Sequence, residues 1–503
     1  MSLTDSEMID NLLGRTSGNT KFEDQQLIYL NDKNQGSYTN PIKFNTLTWI
    51  DDWMAYPKAY INIPLRAVGK GTTADFNTGG AAVRLIDIDG NGDKTAGYPA
   101  RVKVTTKNGI YSLVNSLNIK VNGYTIQNSS DLHLMNNIKA LTTWSKDYAE
   151  SSGVLHHFAK DTNALHNAAN VGFNNRVELT NYAVAITQAS SNGECTVTVD
   201  FSVNIHLSVI SDFFDQIGMP LKNANIDITI GLNGLDKGSG AGQEWDCLAI
   251  NSVVQTAIGS VAGVPNTMKL QIGNQWERVC KLFCPRVTFT ASDALELDNV
   301  LSKPLQKTIV WNDCQVVKNT NPANSDNLNM VLSPSIRRPL QVWSQFIPKP
   351  AADRSHLKDQ SVPYPFITNL GVKSHLAPAA TPLGVAITNG NLRVDSRKLY
   401  EENIDSQAQF YEMLRDQTLS GSDDKQTGSL ISYKEFHELY QFYCFDLTRT
   451  AYKITDKPVA LEFMARKQNA ANLTDLFHII VLETVTVFNF VAGNVAVTSV
   501  GAQ

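Results

Sequence analysis

The chain has 503 residues, too many for one ordinary domain, and its length favours roughly two to four. With 42% hydrophobic residues, 18% charged residues and a formal net charge of −5, it reads as a folded protein whose bulk surface does not grip nucleic acid by neutralising phosphates. No apolar run approaches the ~18–20 residues of a membrane span, and MSLTDSEMID has neither the basic nor the apolar region of a secretory leader.

Residues 4–14 read as a short helix: Thr4 and Glu7 have capping-box spacing, Met8, Ile9, Leu12 and Leu13 form an apolar stripe, and Gly14 ends it. The polar stretch to about residue 44 reads as an arm rather than core. Its start sets Asp5, Glu7 and Asp10 against Arg15 and Lys21, so the arm is not basic. Strands then accumulate. AYINIPL (59–65) puts Ile61, Ile63 and Leu65 on one face. In SLNIKVNGYTIQ (116–127), Asn122-Gly123 separates two alternating runs, the pattern of a hairpin closed by a type I′ turn, because both residues tolerate positive φ. Residues 131–146 carry Leu132, Met135, Ile138, Leu141 and Trp144 at helical spacing.

The clearest strand is ECTVTVDFSVNIHL (194–207). Cys195, Val197, Val199, Phe201, Val203, Ile205 and Leu207 line one face and polar residues the other, so one face packs on a core while the other meets water or a polar neighbour. SVISDFFDQIG (208–218) reads as a short helix and ANIDITIGLNG (224–234) as a strand. The second half repeats the style. KTIVWND (307–313) and LQVWSQFI (340–347) read as strands. SQAQFYEMLRDQ (406–417) and SYKEFHELYQFY (432–443) read as helices, the latter with a Ser432/Glu435 capping box. ALEFMARK, LFHIIVLETVTVFNFV and NVAVTSV close the chain as strands. No repeat of about 20–50 residues is present, which excludes propellers and solenoids and leaves two antiparallel β-sandwiches in tandem.

Chemistry-bearing motifs are sparse. In LIDIDGNGDK (85–94) the Asp87–Asp93 loop places Asp87, Asp89, Asn91 and Gly92 where a calcium loop has them. The twelfth position, where an EF-hand closes with a bidentate Glu, is Tyr98, and the flanks are strand-like. It reads as a solvated turn between strands, with a weak calcium site as the alternative. GSGAG (238–242) is glycine-rich but does not open a helix after a strand, and no phosphate cradle, nucleophile elbow or HExxH motif occurs. His156, His157 and His166 lack metal-ligand spacing and read as exposed loop histidines. The cysteines Cys195, Cys247, Cys280, Cys284, Cys314 and Cys444 are scattered, which fits a reducing compartment, and the Cys280/Cys284 pair reads as buried thiols. The sequons NSS (128–130) and NLT (472–474) read as chance matches. The sequence thus offers no catalytic residue, no cofactor-binding residue and no metal-ligating set.

The order of several motifs is informative. Leu399-Tyr400, a helix around Tyr411, Asp423-Asp424 with Thr427-Gly428, then Tyr433, Phe436 and Tyr440, then Asp446-Leu447-Thr448 follow one another within 397–449. Upstream, KLFCPRVTF (281–289) precedes KTIVWNDCQV (307–316), and SLNIKVNG and DFFDQIGMPLKNANIDITIGLN (212–233) come before both. In this order the chain resembles the double jelly-roll major capsid proteins of virophages, polintons and polinton-like viruses, within the tectivirus–adenovirus-type capsid lineage. Its loop GSDDKQTG carries extra residues against the family's G-DD-TG pattern.

The resemblance implies an all-β fold of two tandem eight-stranded antiparallel jelly-roll β-sandwiches with short helices in the connecting loops. The expected division is an N-terminal arm at 1–44, a first jelly roll at 45–298 and a second at 299–503. It further implies a major capsid protein without enzyme activity or cofactor. Such a protein forms homotrimeric, pseudo-hexameric capsomers that tile an icosahedral shell around double-stranded DNA. Expected partners are the chain itself, neighbouring capsomers, and penton, vertex and minor capsid proteins, with an internal membrane left open and no sequence-specific nucleic-acid binding. The expected location is the virion, after assembly inside the host cell without a signal peptide. A β-sandwich binding or adhesion module for a carbohydrate or protein ligand is the alternative, marked by an aromatic platform on one sandwich face. A β-sandwich hydrolase, with two carboxylates ~5–9.5 Å apart in a cleft, is a third. Because the arm is short, amphipathic and not basic, it suits clasping a neighbour rather than condensing a genome. Deleting residues 1–20 is expected to leave trimers intact and impair shell assembly; wild-type shell yield from the truncated chain would refute this.

Overall fold

A computed structural model of the chain describes residues 22–72, 100–160, 171–232, 248–348, 387–418, 430–448 and 457–500, apart from short breaks within these spans. The first-half strands are β1 (Phe22–Asn31), β2 (Ile42–Asn45), β3 (Trp53–Met54), β4 (Tyr60–Thr72), β5 (Ala100–Thr106), β6 (Val114–Val121), β7 (Tyr124–Ser129), β8 (Tyr182–Gln188), β9 (Glu194–His206), β10 (Ile226–Leu232), β11 (Leu248–Thr256), β12 (Gly259–Val261), β13 (Thr267–Ile272) and β14 (Lys281–Phe289). Among them lie helices α1 (Leu132–Thr143), α2 (Lys146–Leu155), α3 (Val171–Leu179), α4 (Leu207–Ile210) and α5 (Asp212–Ile217). Helix α6 (Ala291–Leu301) leads into the second half: β15 (Leu305–Thr320), β16 (Asn327–Ile336), β17 (Pro339–Pro348), β18 (Ile387–Val394), β19 (Arg397–Lys398), α7 (Gln407–Thr418), α8 (Tyr433–Glu438), β20 (Phe442–Asp446), β21 (Val459–Lys467), β22 (Thr474–Val491) and β23 (Asn494–Val500).

In the first sandwich a sheet ordered β1-β14-β4-β9-β8, with β13 also on β4 and β3 on β14, faces a sheet ordered β2-β10-β6-β7. A small sheet β12-β11-β5 accompanies them. Non-consecutive neighbours such as β4 and β9 are the long returns of a Greek-key plan. The core is the alternation read from the sequence: Ile61, Ile63, Leu65 and Ala67 of β4 are buried with Val199, Phe201, Val203 and Ile205 of β9. The other face of β9 is laced to its neighbour. Arg66 grips Asp200 through two parallel bonds of 2.6 and 2.8 Å, and the Asn62 amide donates to Asn204 at 2.7 Å. Pro64 sits within β4 where β14 stops pairing, at Asn62, and β13 starts, at Leu65, so its missing N–H costs no ladder bond.

The second sandwich pairs a sheet ordered β15-β22-β17-β20, with β23 also on β22, against one ordered β16-β21-β18-β19. β22 spans 18 residues and is paired along both edges, by β15 on one side and by β17 and β23 on the other. The hydrophobic core runs through both halves as one cluster, with a small satellite of Ala55, Val287, Phe289 and Leu297 under α6.

The fold departs from the sequence reading in several places. Phe22–Asn31 and Ile42–Asn45, expected within an arm, are sheet strands. β1 pairs with β14 along its length, and Ile42 and Phe44 of β2 are fully in the core. β1 is an edge strand with few buried side chains, which is why its composition reads as polar. The helix expected over 131–146 is interrupted at Trp144, and Ser145 caps a second helix by accepting the Tyr148 amide at 3.1 Å. Of the helix expected over 432–443, Tyr433–Glu438 is helical, while Phe442–Asp446 is a strand. Phe442, Tyr443, Cys444 and Phe445 are buried on both faces, a continuous run whose period cannot separate helix from strand. Helices α3 and α6 had no counterpart in the reading, and the expected boundary at 298/299 falls within α6.

Candidate functional site

The most built polar feature of the structure is the seam where the two sandwiches join. β7 is an edge of its sheet and β15 an edge of its own, and they meet through side chains. Oδ1 of Asp313, on β15, accepts from Ser129 Oγ at 2.7 Å, from Gln127 Nε2 at 3.2 Å and from the Cys314 amide at 2.8 Å. Ser211 Oγ, just before α5, donates to Gln127 Oε1 at 2.6 Å and extends the relay. Burial pushes the Asp313 carboxyl above its usual range, and the three donors pull against that. Beside this relay, α5 drives Phe213 between the halves, with ring centres 5.8 Å from Trp311 and 6.1 Å from Phe488. Gly218 ends α5 in the left-handed region, at φ 63°, and Lys307 Nζ of β15 caps the Ile217 carbonyl at 3.1 Å.

Two further contacts cross between the halves. The Asn122-Gly123 turn has φ 49° and 83°, as a type I′ turn requires, and Asn122 Nδ2 donates to the Val495 carbonyl at 2.6 Å. Lys160 meets Glu435 at 2.7 Å and also the Leu430 carbonyl. Burial would push Glu435 up, but Lys160 and the Ser432 contacts outweigh it and hold the carboxyl below its usual range.

The motifs that carried the resemblance turn out to be structural. Trp311 donates to Thr486 Oγ1 at 2.9 Å and Asp313 holds the seam. Tyr411 packs on Tyr433 and Phe436, and Phe436 on Tyr443, as one aromatic cluster. Ser432 and Glu435 close their capping box at 2.9 and 3.3 Å. Asp446 turns the chain out of β20 by accepting from the Thr448 amide and hydroxyl at 2.8 and 2.6 Å. Tyr440 and the 419–429 loop lie outside the described residues, as do the Asp87–Asp93 loop, GSGAG, His166 and residues 1–21.

An aromatic row crosses the outer face of the larger first-half sheet. Tyr29, Phe283, Tyr60 and His206 stand directly opposite one another on β1, β14, β4 and β9, with ring centres 5.1–5.7 Å apart. The row starts at Tyr29, 57% exposed, and continues inward to His156 and Trp144. His156 is therefore buried, against the expectation of an exposed loop histidine. Burial, then His206 and His157, push it down to about 4.

Among the described residues no cluster of three or more histidine, cysteine, aspartate or glutamate side chains could hold a metal. Cys280, Cys284, Cys314 and Cys444 are buried thiols held above their usual range by burial, Cys280 at about 12, so they are poor nucleophiles. Ser129 of the sequon NSS is buried at the seam.

No family model matches the sequence, and no curated protein matches it. Solved structures do match. A chain of the Sputnik virophage structure aligns with a TM-score of 0.54 and 11% identity, over 96% of this chain and 90% of that one. A chain of the PBCV-1 virus capsid aligns at 0.47 and 10% identity, over 96% and 98%, and the Faustovirus major capsid protein at 0.46 and 9%, over 93% and 92%. The virophage likeness spans nearly all of both chains and, with the paired sheets above, defines the fold as a double jelly roll.

Proposed function

We propose that this chain is a major capsid protein, a structural subunit that assembles with copies of itself into a virion shell and performs no catalysis. The single observation that carries the reading is the two-sandwich architecture, shared over nearly the whole chain with a chain of a virophage particle. The seam supports it. A relay of buried polar groups and an aromatic wedge make one rigid block of two jelly rolls, as a tile needs. Trimers of such blocks give six sandwiches around an axis, a nearly hexagonal outline that packs a surface. Penton, vertex and minor capsid proteins, and assembly inside a host cell, follow as parts of the same proposal.

Light scattering on the purified chain, with negative-stain images of the same fraction, tests it. A stable species near three times 55.4 kDa with a hexagonal outline is expected. A monomer that never associates, at any salt or protein concentration, would overturn the reading. It would favour instead a binding module, for which the aromatic row on the outer sheet face is the supporting observation.

A further inference from the structure

The two sandwiches repeat one plan. The sheet order β1-β14-β4-β9 matches β15-β22-β17-β20, and β2-β10-β6-β7 matches β16-β21-β18-β19, with counterparts in the same chain order. The correspondence extends to single bonds. The Leu207 amide donates to the Ala59 carbonyl at 3.0 Å, as the Leu447 amide does to Leu340 at 2.8 Å. The turns Asn122-Gly123 and Asp395-Ser396 both have positive φ at both residues. In each, Oδ1 of the first residue accepts a backbone amide at 2.8 Å, from Asn225 and from Ala460. Tyr124 and Thr125 of β7 therefore correspond to Arg397 and Lys398 of β19. Tyr29, opposite Phe283 and Tyr60, corresponds to Cys314, opposite Val481 and Gln341, which puts Asp24 of β1 at the place of Ile309 on β15.

Within the chain, β7 lies along β15. Asn122 reaches Val495, in register with Phe490 and so with the start of β15 at Leu305, while Gln127 and Ser129 reach Asp313. Tyr124 and Thr125 fall between, near Ile309. The same docking made by the counterparts sets Arg397 and Lys398 of β19 near Asp24 of β1, with Glu23 beside it. β19 and β1 are edges of their sheets, and all four of these side chains are exposed. Among the described residues no ion pair joins these cations to these anions within one chain. A second copy can supply what one chain lacks, because two exposed cations meet two exposed anions. Further along, the exposed Glu401 and Glu402 come toward Ile28, the counterpart of Asp313, close to Arg286 on β14. A head-to-tail contact of this kind closes a ring when its rotation permits.

We propose that β19 of one copy docks on the β1 edge of the next, with Arg397 and Lys398 against Glu23 and Asp24, so that the contact between chains repeats the seam within each. The proposal rests on the capsid reading and names the surface that closes its trimer. Light scattering over a concentration series tests it on three full-length forms. These are the parent, a reversed variant with Arg397→Glu and Lys398→Glu, and a swapped variant that adds Glu23→Lys and Asp24→Lys. The concentration at which half the chains are trimeric should rise by about tenfold or more in the reversed variant, where like charges face each other, and return to within about threefold of the parent in the swapped one. Trimers unchanged by the reversal, or a swapped variant no better than the reversed one, would overturn this interface and leave the capsid reading standing. A parent that stays monomeric would overturn both. If a charge variant does not fold, Asp24→Cys with Lys398→Cys in one chain carries the test. Mild oxidation should then link chains in threes, as neither single cysteine does, and an absence of linkage would overturn the proposal.

Discussion

Replacing Asp313 with alanine is expected to lower unfolding stability by about 3–5 kcal/mol, while Asp313→Asn stays within about 1 kcal/mol of the parent. Alanine leaves Ser129 Oγ, Gln127 Nε2 and the Cys314 amide without their shared acceptor, and Ser129 and Gln127 are buried. Gln127 Nε2 keeps Ser129 Oγ as an acceptor at 3.1 Å, so two donors, Ser129 Oγ and the Cys314 amide, lose this acceptor, at about 1–3 kcal/mol for each left stranded. Asparagine keeps the Oδ1 that all three donors use and removes the burden of a charge at a site where burial raises the carboxyl's pKa. Urea unfolding checks both variants. The alanine form should also show two transitions, one for each sandwich, where the parent shows one. An alanine variant as stable as the parent would remove Asp313 from the energetics of the seam.

Acid should destabilise the protein well before its carboxylates titrate. Burial pushes His156 down to about 4 and His478 down to about 3, with His206 and His157 adding to the effect at His156. His478 lies between β15 and β17, its Nδ1 2.8 Å from Ser344 Oγ and its ring 4.8 Å from Phe463. Both rings are held neutral in the fold, whereas the unfolded chain protonates them near 6.5, so unfolding takes up protons below that pH. The stability they share is whole above about pH 6.5 and is lost as pH falls toward 4 and 3. At about pH 5 each contributes a loss of about 2 kcal/mol, about 4 kcal/mol together. Urea titrations at about pH 7.5 and about pH 5 measure this, and His478→Gln should remove about half of the difference. Equal stability at the two pH values would show that neither ring is sealed from protons.

What could be read from the sequence was local. Asn122-Gly123 specified its turn by its own φ preferences, and Ser432/Glu435 closed the box their spacing predicted. The alternation expected over 194–207 became β9, with Val199, Phe201, Val203 and Ile205 buried on the expected face. What could not be read depends on distant partners. β1 is a strand because β14 lies beside it, and its wet side chains hide this. His156 is buried because β9 brings His206 against it. Ser129 and Gln127 stand 184 and 186 residues from Asp313, so no window of sequence shows that they share an acceptor. Asp313 itself left one trace, a carboxylate set beside the apolar positions of KTIVWND.

The reach of the strand pairing also sets an order of synthesis. Phe22 lies opposite Phe289, so the first sandwich cannot seal its edge until β14 has left the ribosome. Leu305 lies opposite Phe490, so β15 waits, unpaired along that edge, for nearly the whole second half to be made. During that interval the finished first sandwich offers β7 and α5 as a surface on which β15 can dock by Asp313, Trp311 and Lys307. The seam thereby shelters a long nascent edge that would otherwise be open to pairing with other chains.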